Sequence, residues 1–375
     1  MTFNNSGSIG FSEEQAELLE VAQRFAREKS PIDKVRALID DEAGYDPGIW
    51  AELAELGWLA IAVPEEFGGV GLTMAEVVPV VEQMGRSLMG GPFVSTTIAA
   101  QAVLFGGTEA QKNDLLPGVC GGNPATVALM EADGSWDLTA ITCAATRDGD
   151  TLTLEGTKLL VTDAAAAEWL VVSVSLGGEA ALVVVPKSAL GADALTREVV
   201  IDETRRSYKV KLDGVTVPAA NLLSGAPATQ TLAHIEMVSS LLAAAEMCGG
   251  TASCIDYTVD YLKTRTQFGK LIGSYQALKH PAVDALLEYE AARSHLYAAA
   301  HSFGEQGEGE IATRMAKAQA ATAMSFAADR AIQFHGGFGF TYDCDAQLYR
   351  RRAFWGDALH GEAAHQRKKL AELMF

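Results

Sequence analysis

The chain has 375 residues, of which 49% are hydrophobic and 21% are charged, and its formal net charge at pH 7 is −19. This composition supports a large buried core and excludes an intrinsically disordered chain. The net negative charge argues against nucleic acid or an anionic membrane surface as a partner, because phosphate groups would be repelled. We expect a folded protein of two or three domains.

Signals for export, membrane insertion and metal binding are missing from the sequence. The N-terminal residues contain no basic segment followed by an apolar run, so we expect no secretory signal. No apolar stretch of about 18 residues is free of charges and turn residues, so we expect no membrane insertion. The five cysteines are irregularly spaced without a CxxC pair, which favours reduced thiols and no metal site. Together these features predict a cytoplasmic protein.

The first segment, residues 1–120, shows the start signals of helices. Ser12 with Gln15, and Thr108 with Gln111, have the spacing of a capping box. The dipeptide at 46–47, Asp-Pro, supplies a helix N-cap followed by a first-turn proline. These signals predict an N-terminal helical domain.

The second segment, residues 121–225, consists of short β-rich runs separated by turn residues. The alternating run 151–154 follows an Asp-Gly pair, and Gly177-Gly178 separates two further apolar runs. Short strands joined without intervening helices predict an antiparallel barrel or sandwich rather than a parallel sheet.

The third segment, residues 226–375, is helical again. Helical patterns cover residues 232–263, 274–304 and 309–334, with Gly249-Gly250 and Pro281 as the points where we expect interruptions. Long amphipathic helices with short connections predict a bundle. The fold class is therefore α+β and multidomain: an N-terminal helical domain, a central antiparallel β-barrel or sandwich, and a C-terminal helical bundle.

Two motifs in the third segment are candidates for binding. The basic motif, Arg265 to Lys270, contains Arg265, which can form forked hydrogen bonds to a diphosphate, and Phe268, which offers a stacking face. The alternative is a helix end at Gly269 with cations in the last turn. The glycine motif, Gln333 to Phe340, is either a ligand-binding loop or an ordinary helix end, and it lacks the GxGxxG pattern of a Rossmann turn.

The order and spacing of these motifs resemble the acyl-CoA dehydrogenase family, and the resemblance extends over nearly the whole chain. The matching segments are 63–69, 107–117, 156–162, 265–269 and 333–339. The resemblance implies that the C-terminal domain is a four-helix bundle, that subunits form tetramers, and that FAD lies between barrel and bundle.

The resemblance also implies which residues contact the cofactor. Thr162 would meet the flavin ring, while Arg265, Phe268 and Gln276 would reach the diphosphate and adenosine of a neighbouring subunit's FAD. Gln333 and Gly337 would contact the same cofactor. Met130 and Ser135 occupy a barrel motif that also touches the flavin, although Met130 stands where the family has a threonine and cannot donate its hydrogen bond. The family's adenosine-contacting Thr and Gln near the C-terminus are Glu362 and Ala364 here.

The implied reaction is the α,β-dehydrogenation of an acyl-CoA thioester, in which a carboxylate removes the α-proton and the flavin accepts the β-hydrogen as hydride. One group of the family carries the catalytic Glu near the C-terminus, where this chain has His360. The other group carries it twenty-nine residues before the Phe of the basic motif, where this chain has Ser239. The Arg that follows it in the family is Ser240 here. Both customary Glu positions are therefore occupied by other residues.

Two other side chains are candidates for the base. Glu246 lies seven residues after Ser239 and on the same helix face, but about 10 Å further along the axis. It either takes a catalytic or acyl-pocket role or forms a buried structural ion pair. His360 is the second candidate, since a neutral imidazole can accept a proton. Glu236 lies nearby but has the pattern of a solvated residue at a helix start.

Three functions remain open from the sequence. The first resembles the bacterial branch that acts on bulky acyl groups such as steroid side chains, in which this chain is the base-lacking subunit of a mixed tetramer. The second is a self-sufficient dehydrogenase, a homotetramer with Glu246 as the relocated base. The third is a flavin monooxygenase-like enzyme of the same fold. For a dehydrogenase the expected partners are an acyl-CoA substrate and an electron-accepting protein.

Overall fold

The structure is a computed structural model and describes residues 12–375. The α-helices of these residues are α1 (Glu13–Lys29), α2 (Ile32–Ala37), α3 (Pro47–Glu55), α4 (Met74–Arg86), α5 (Phe93–Gly106), α6 (Glu109–Cys120), α7 (Ala228–Thr264), α8 (Gln276–His301), α9 (Glu308–His335), α10 (Ala346–Ala358) and α11 (Ala363–Met374).

In sequence, the strands lie between helices α1–α6 and helices α7–α11, apart from one short hairpin that follows α7. They are β1 (Ala125–Ala128), β2 (Ala144–Asp148), β3 (Thr151–Glu155), β4 (Thr157–Thr162), β5 (Trp169–Leu176), β6 (Glu179–Pro186), β7 (Leu195–Glu198), β8 (Ser207–Lys211), β9 (Val215–Pro218), β10 (Thr266–Gln267) and β11 (Lys270–Leu271). The order helices, strands, helices confirms the predicted α+β class. The domain boundaries at residues 120 and 225 stay predictions.

The chain forms two compact units, and the first consists of residues 12–36, 74–89 and 240–375. In this helical unit α1 packs on α4, α4 on α8, α8 on α9, and both α10 and α11 on α9. The capping box predicted at Ser12 and Gln15 is present at the start of α1, with both reciprocal hydrogen bonds formed. Helix α8 runs through Pro281, because this proline lies near the helix start and removes only one intrahelical hydrogen bond.

The expected weak point at Gly249-Gly250 does not interrupt α7. A Cβ atom added to Gly249 would lie 1.8 Å from the carbonyl oxygen of Glu82, and one added to Gly85 would lie 2.1 Å from that of Glu246. The glycines therefore let the backbones of α4 and α7 approach closely. Next to this crossing, Glu82 accepts hydrogen bonds from Arg293 at 2.7 Å and from Tyr297 at 2.6 Å.

By length and composition α7 could cross a membrane, but 89% of its most apolar 18-residue window is buried in the structure. A long apolar helix that is buried in this way is typical of the core of a soluble protein.

The second unit consists of residues 37–73 and 90–239 and contains the central strands. One sheet has six strands, in which β5 pairs antiparallel with β6 and the series β2, β3 and β9 is antiparallel. The expectation of a purely antiparallel sheet needs one correction, because β1 and β2 each pair parallel with β5. A second sheet has the order β4-β8-β7.

Local sequence explains how these strands pair. Gly177 and Gly178 have φ values of 64° and 91° and form the two-residue turn between β5 and β6, which places Leu176 opposite Glu179. Alternate residues of the strands are buried in one apolar core, including Leu152, Leu154 and Val172.

Candidate cofactor-binding site

The basic motif forms a hairpin at the end of α7. The helix ends at Thr264, and β10 pairs antiparallel with β11. Phe268 and Gly269, with φ values of 53° and 72°, occupy the two-residue turn between them. The alternative in which Gly269 ends the helix is therefore wrong, since the strand pairing begins before this glycine. The side chain of Phe268 is 91% exposed.

This hairpin borders a cavity of about 710 Å³ in the helical unit. Its wall combines aromatic side chains, one arginine and the glycine motif; the lining residues are Tyr261, Arg265, Gln267, Phe268, Ile272, Tyr275, Ala277, Leu278 and residues 334–338. Three predicted cofactor residues, Arg265, Phe268 and Gly337, thus line one cavity, although Gly337 is about 70 residues from the other two in sequence. Gln276 and Gln333 are exposed and do not line the cavity, although their sequence neighbours do.

The first three residues of the glycine motif, 333–335, are the last residues of α9, and the motif continues as a short 3-10 turn, Gly336–Phe338. A Cβ atom added to Gly336 or Gly337 would meet no atom within 4 Å. These two glycines therefore border open space, which gives a ligand access to the backbone.

His335 is a member of this wall that was not among the predicted site residues. Its ring stacks on Tyr261 at 4.1 Å and on Tyr257 at 4.9 Å between centroids. Its Nδ1 lies 2.8 Å from the carbonyl oxygen of Ala331, while its buried Nε2 has no hydrogen-bond partner in residues 12–375. Burial lowers the pKa of His335, which favours the neutral form of the ring. In the sequence, its position inside the glycine motif was the feature that could have indicated that His335 belongs to the site.

The cavity suits the tail of a dinucleotide cofactor. Arg265 offers a guanidinium for a diphosphate, and the aromatic rings offer stacking faces for a base. The residues present in this cavity therefore fit the nucleotide part of FAD.

Thr162, in the second unit, is the last residue of β4, and neighbouring residues fix its backbone. Its carbonyl oxygen accepts a hydrogen bond from Thr126 at 2.7 Å. Leu160 and Asp163, on either side, have φ values of 51° and 57°, a conformation that side chains other than glycine seldom adopt. Glu198 accepts a hydrogen bond from the Leu160 amide at 2.9 Å.

Met130 and Ser135 lie in the loop that follows strand β1. Met130 is buried and offers no hydroxyl, while the Ser135 hydroxyl accepts a hydrogen bond from the Asp137 amide at 3.1 Å. Between them lies Glu131, whose carboxylate accepts a hydrogen bond from buried Lys158 at 2.6 Å. Burial acts to raise the pKa of Glu131, but hydrogen bonds from Lys158, Thr142 and the Cys143 amide lower it to about 2. The loop is thus anchored to β4 by an ion pair.

The two serines at the positions where the resemblance expects the base and its neighbouring Arg are both buried. Ser239 is 1% exposed and Ser240 is 0% exposed, and neither hydroxyl has a hydrogen-bond partner within residues 12–375. A hydroxyl has too high a pKa to act as an unassisted base at neutral pH.

Glu246, the candidate relocated base, forms an ion pair in the helical unit. Its Oε1 lies 3.2 Å from Nη1 of Arg352, which is 1% exposed. The carboxylate therefore serves as the counter-charge of a buried guanidinium.

His360, the other candidate base, lies in the connector between α10 and α11 with a φ of 61°. Burial, and to a smaller extent the ammonium of Lys317, lower the pKa of its imidazole to about 3. Both causes oppose the protonated form that a base must reach.

Comparison with known proteins places these observations in a family. Residues 12–123 match the N-terminal domain and residues 237–375 match the C-terminal domain of acyl-CoA dehydrogenases. The chain is 31% identical to acyl-CoA dehydrogenase IpdE2 of Mycolicibacterium smegmatis over 97% of this chain and 100% of that protein. It is 32% identical to acyl-CoA dehydrogenase FadE12 of Mycobacterium tuberculosis over 78% of this chain and 79% of that protein.

A solved structure gives the same result. The Tcur3481–Tcur3483 steroid ACAD superposes with a TM-score of 0.85 and 30% identity, over 96% of this chain and 98% of that one. The chain belongs to the acyl-CoA dehydrogenase family of FAD-dependent oxidoreductases.

Proposed function

We propose that this chain is the base-lacking subunit of a mixed tetramer that dehydrogenates an acyl-CoA thioester. The observation that carries the proposal is the pair of buried serines, Ser239 and Ser240, at the positions where the resemblance expects the catalytic Glu and its neighbouring Arg. In this role a second type of subunit supplies the carboxylate, and this chain supplies scaffold and cofactor contacts.

The two candidate replacements for the base support this proposal by their surroundings. The carboxylate of Glu246 is paired with Arg352, and the protonation of His360 is opposed by burial and by Lys317. The first carboxylate is thus committed to a structural ion pair, and the second group lacks the proton affinity that general-base catalysis near neutral pH requires.

The cofactor contacts are proposed residue by residue. Arg265, Phe268 and Gly337 would hold the diphosphate and nucleotide portion, with Gln276 and Gln333 contributing at its edge. Thr162 would contact the flavin ring, together with the loop that carries Met130 and Ser135. When bound, FAD accepts the β-hydrogen of the acyl group together with its electron pair. The protein's own part is to orient the cofactor and to neutralise the diphosphate charge.

The relatives support the substrate class and the mixed assembly. One solved relative is described as a steroid ACAD and is named for two components, Tcur3481 and Tcur3483. We infer for this chain a bulky acyl-CoA such as a steroid derivative, an electron-accepting protein as the redox partner, and a cytoplasmic location.

The ratio of flavin to protein tests this function. We expect the chain purified alone to hold well under one FAD per subunit and to show little turnover. Co-expression with a homologous subunit that carries a catalytic Glu should restore both. Full flavin loading and full turnover by the isolated chain would refute the proposal, and oxygen consumption without an acyl-CoA would indicate a monooxygenase instead.

A self-sufficient dehydrogenase is the second candidate, because Glu246 lies on the same face of α7 as Ser239. Replacing Glu246 with Gln removes the carboxylate and keeps the side-chain shape. If Glu246 is the base, kcat falls at least about a hundredfold while FAD content is unchanged. Glu236→Gln, three residues before Ser239 on the same helix, is the matched control. An unchanged rate in Glu246→Gln would eliminate this candidate.

A further inference from the structure

The cavity proposed for the cofactor lies between the ends of two helices. Arg265 follows the last residue of α7, and the glycine motif begins within the last turn of α9. A ligand that contacts both needs these two ends at a fixed separation. Tyr257 and Tyr261 precede Arg265 at intervals of four residues, so they lie on the side of α7 that leads to this arginine.

His335, the last residue of α9, joins the two helix ends by stacking. Its ring lies nearly parallel to that of Tyr257, at 12° and 4.9 Å between centroids, and to that of Tyr261, at 24° and 4.1 Å. Its Nδ1 lies 2.8 Å from the carbonyl oxygen of Ala331, which fixes the ring plane, and the residue is only 4% exposed. Aromatic faces at this separation attract each other. The stack therefore ties the start of the glycine turn to the last two turns of α7.

The residue before His335 adds an apolar contact to this joint. Phe334 is buried and packs with Leu262 of α7 and with Ile272, which follows the basic hairpin. The Ile272 amide donates a hydrogen bond to the carbonyl oxygen of Arg265 at 2.9 Å. The last residues of α9 thus contact the segment that holds the backbone of Arg265.

Tyr257 also acts at the far end of the loop that follows the glycine motif, residues 341–345. Its hydroxyl oxygen accepts a hydrogen bond from the Asp345 amide at 3.3 Å. The carboxylate of Asp345 in turn accepts hydrogen bonds from Nε and Nη2 of Arg36 at 3.0 and 2.6 Å, and Nη1 of Arg36 donates to the carbonyl oxygen of Tyr342 at 2.5 Å. The glycine motif and this loop are therefore fixed at both ends, and Tyr257 contributes at each.

We propose that Tyr257 and His335 are positioning residues for the cofactor, which hold the glycine motif at a fixed distance from Arg265. The inference rests on the proposed function, because it takes this cavity as the site of the FAD nucleotide. A cavity whose two sides are already held in place loses less conformational entropy when the ligand binds. The aromatic faces of His335 carry this role, and its buried Nε2 is not needed for it. Gly336 and Gly337, which border open space, form the backbone that is positioned in this way.

The dissociation constant of FAD from the assembled protein, measured by fluorescence titration, tests the stack. His335→Leu removes the aromatic faces, so we expect FAD to bind at least about tenfold more weakly, as the loss of two ring contacts implies. His335→Phe keeps the ring and removes both nitrogens, and its constant should stay within about threefold of the wild-type value. His295→Leu, at a half-buried position of α8 that does not line the cavity, is the matched control and should not change the constant.

Hydrogen exchange of the full chain without FAD tests the hydroxyl of Tyr257. Tyr257→Phe keeps the stacked ring and removes the acceptor for the Asp345 amide, so exchange at residues 341–345 should accelerate roughly three- to tenfold, as expected for the loss of one hydrogen bond. Tyr275→Phe is the matched control, because the hydroxyl of Tyr275 donates to the carbonyl oxygen of Gln267 instead, and it should leave these amides unchanged.

The inference is overturned if His335→Phe weakens FAD binding as much as His335→Leu, or if Tyr257→Phe leaves exchange of the loop unchanged. It is also overturned if FAD binds to His335→Leu as tightly as to the wild type while Arg265→Gln weakens binding, a result that leaves the cofactor site itself in place. If neither His335→Leu nor Arg265→Gln changes the affinity for FAD, the proposed cofactor site is refuted, and this inference with it.

Discussion

At position 239 the chain has a small buried hydroxyl on a continuous helix. If this position corresponds to that of the family's base, Ser239→Glu should raise the dehydrogenation rate of the isolated, flavin-loaded chain at least about tenfold, since a positioned base contributes about 10²–10⁴. Stopped-flow reduction of the flavin by an acyl-CoA measures this rate. Ser240→Glu, turned about 100° around the helix, is the control. Equal rates in the two variants would contradict the assignment.

Arg265 is the arginine in the wall of the cavity, and its contribution to FAD affinity can be measured by a binding experiment. Replacing it with Gln removes a charge-assisted hydrogen bond, worth about 1.5–3 kcal/mol, so FAD should bind roughly 10–100-fold more weakly to the assembled protein. Fluorescence titration of the apoprotein gives the dissociation constant. Lys263→Gln removes a cation from the last turn of α7 that is 56% exposed and pairs with Asp260, and it should have little effect. The reverse ranking would exclude this cavity as the diphosphate site.

At the scale of elements, the crossing of α4 and α7 depends on the glycine at position 249. Gly249→Ala should destabilise the protein by at least about 2 kcal/mol, because a Cβ 1.8 Å from the Glu82 carbonyl forces the two helices apart. Urea denaturation measures the loss. Gly191→Ala adds the same methyl group where no atom lies within 4 Å, and it should be nearly neutral.

The ion pair between Glu131 and Lys158 anchors the loop that follows β1 to strand β4. Glu131→Gln should lower the free energy of unfolding by about 3 kcal/mol at pH 7, because it leaves a buried ammonium without its counter-charge. The pKa of Glu131 is lowered to about 2 from its ordinary 4.5. The carboxylate therefore stabilises the fold above about pH 4.5, and this stabilisation is lost as the pH falls towards 2.

Urea denaturation at several pH values tests this dependence. The difference between wild type and Glu131→Gln should shrink as the pH is lowered below 4.5. The control is Glu155→Gln, at an exposed position on β3. A difference that does not depend on pH would show that the pair contributes through packing rather than charge.

For the whole molecule, we propose that exposed apolar residues of α8 contact another subunit of the proposed tetramer. Val283 and Leu287 are one helical turn apart and are 53% and 62% exposed. If the chain assembles into the proposed tetramer through this face, Leu287→Glu should give smaller species without unfolding the chain, which native mass spectrometry and circular dichroism together can detect. Leu373→Glu, near the C-terminus and 45% exposed, is the control. An intact tetramer in Leu287→Glu would place the subunit contact elsewhere.

Much of the fold could be predicted because its signals are local. The capping boxes at Ser12 and Thr108 depend on residues three positions apart, and both form as predicted. The turn at Gly177-Gly178 depends on two residues that tolerate positive φ. The parallel pairing of β1 and β2 with β5 was not predictable, because it joins residues far apart in sequence and leaves no local pattern.

The family, and with it the FAD-dependent chemistry, could be recognised from the order and spacing of short motifs in the sequence alone. The tertiary structure decided what surrounds each ionisable group: Arg352 beside Glu246, Lys317 near His360, and His335 between two tyrosines. The physical reason is that proton affinity depends on burial and on charges within a few ångströms. Those neighbours come from helices that meet only when the chain folds.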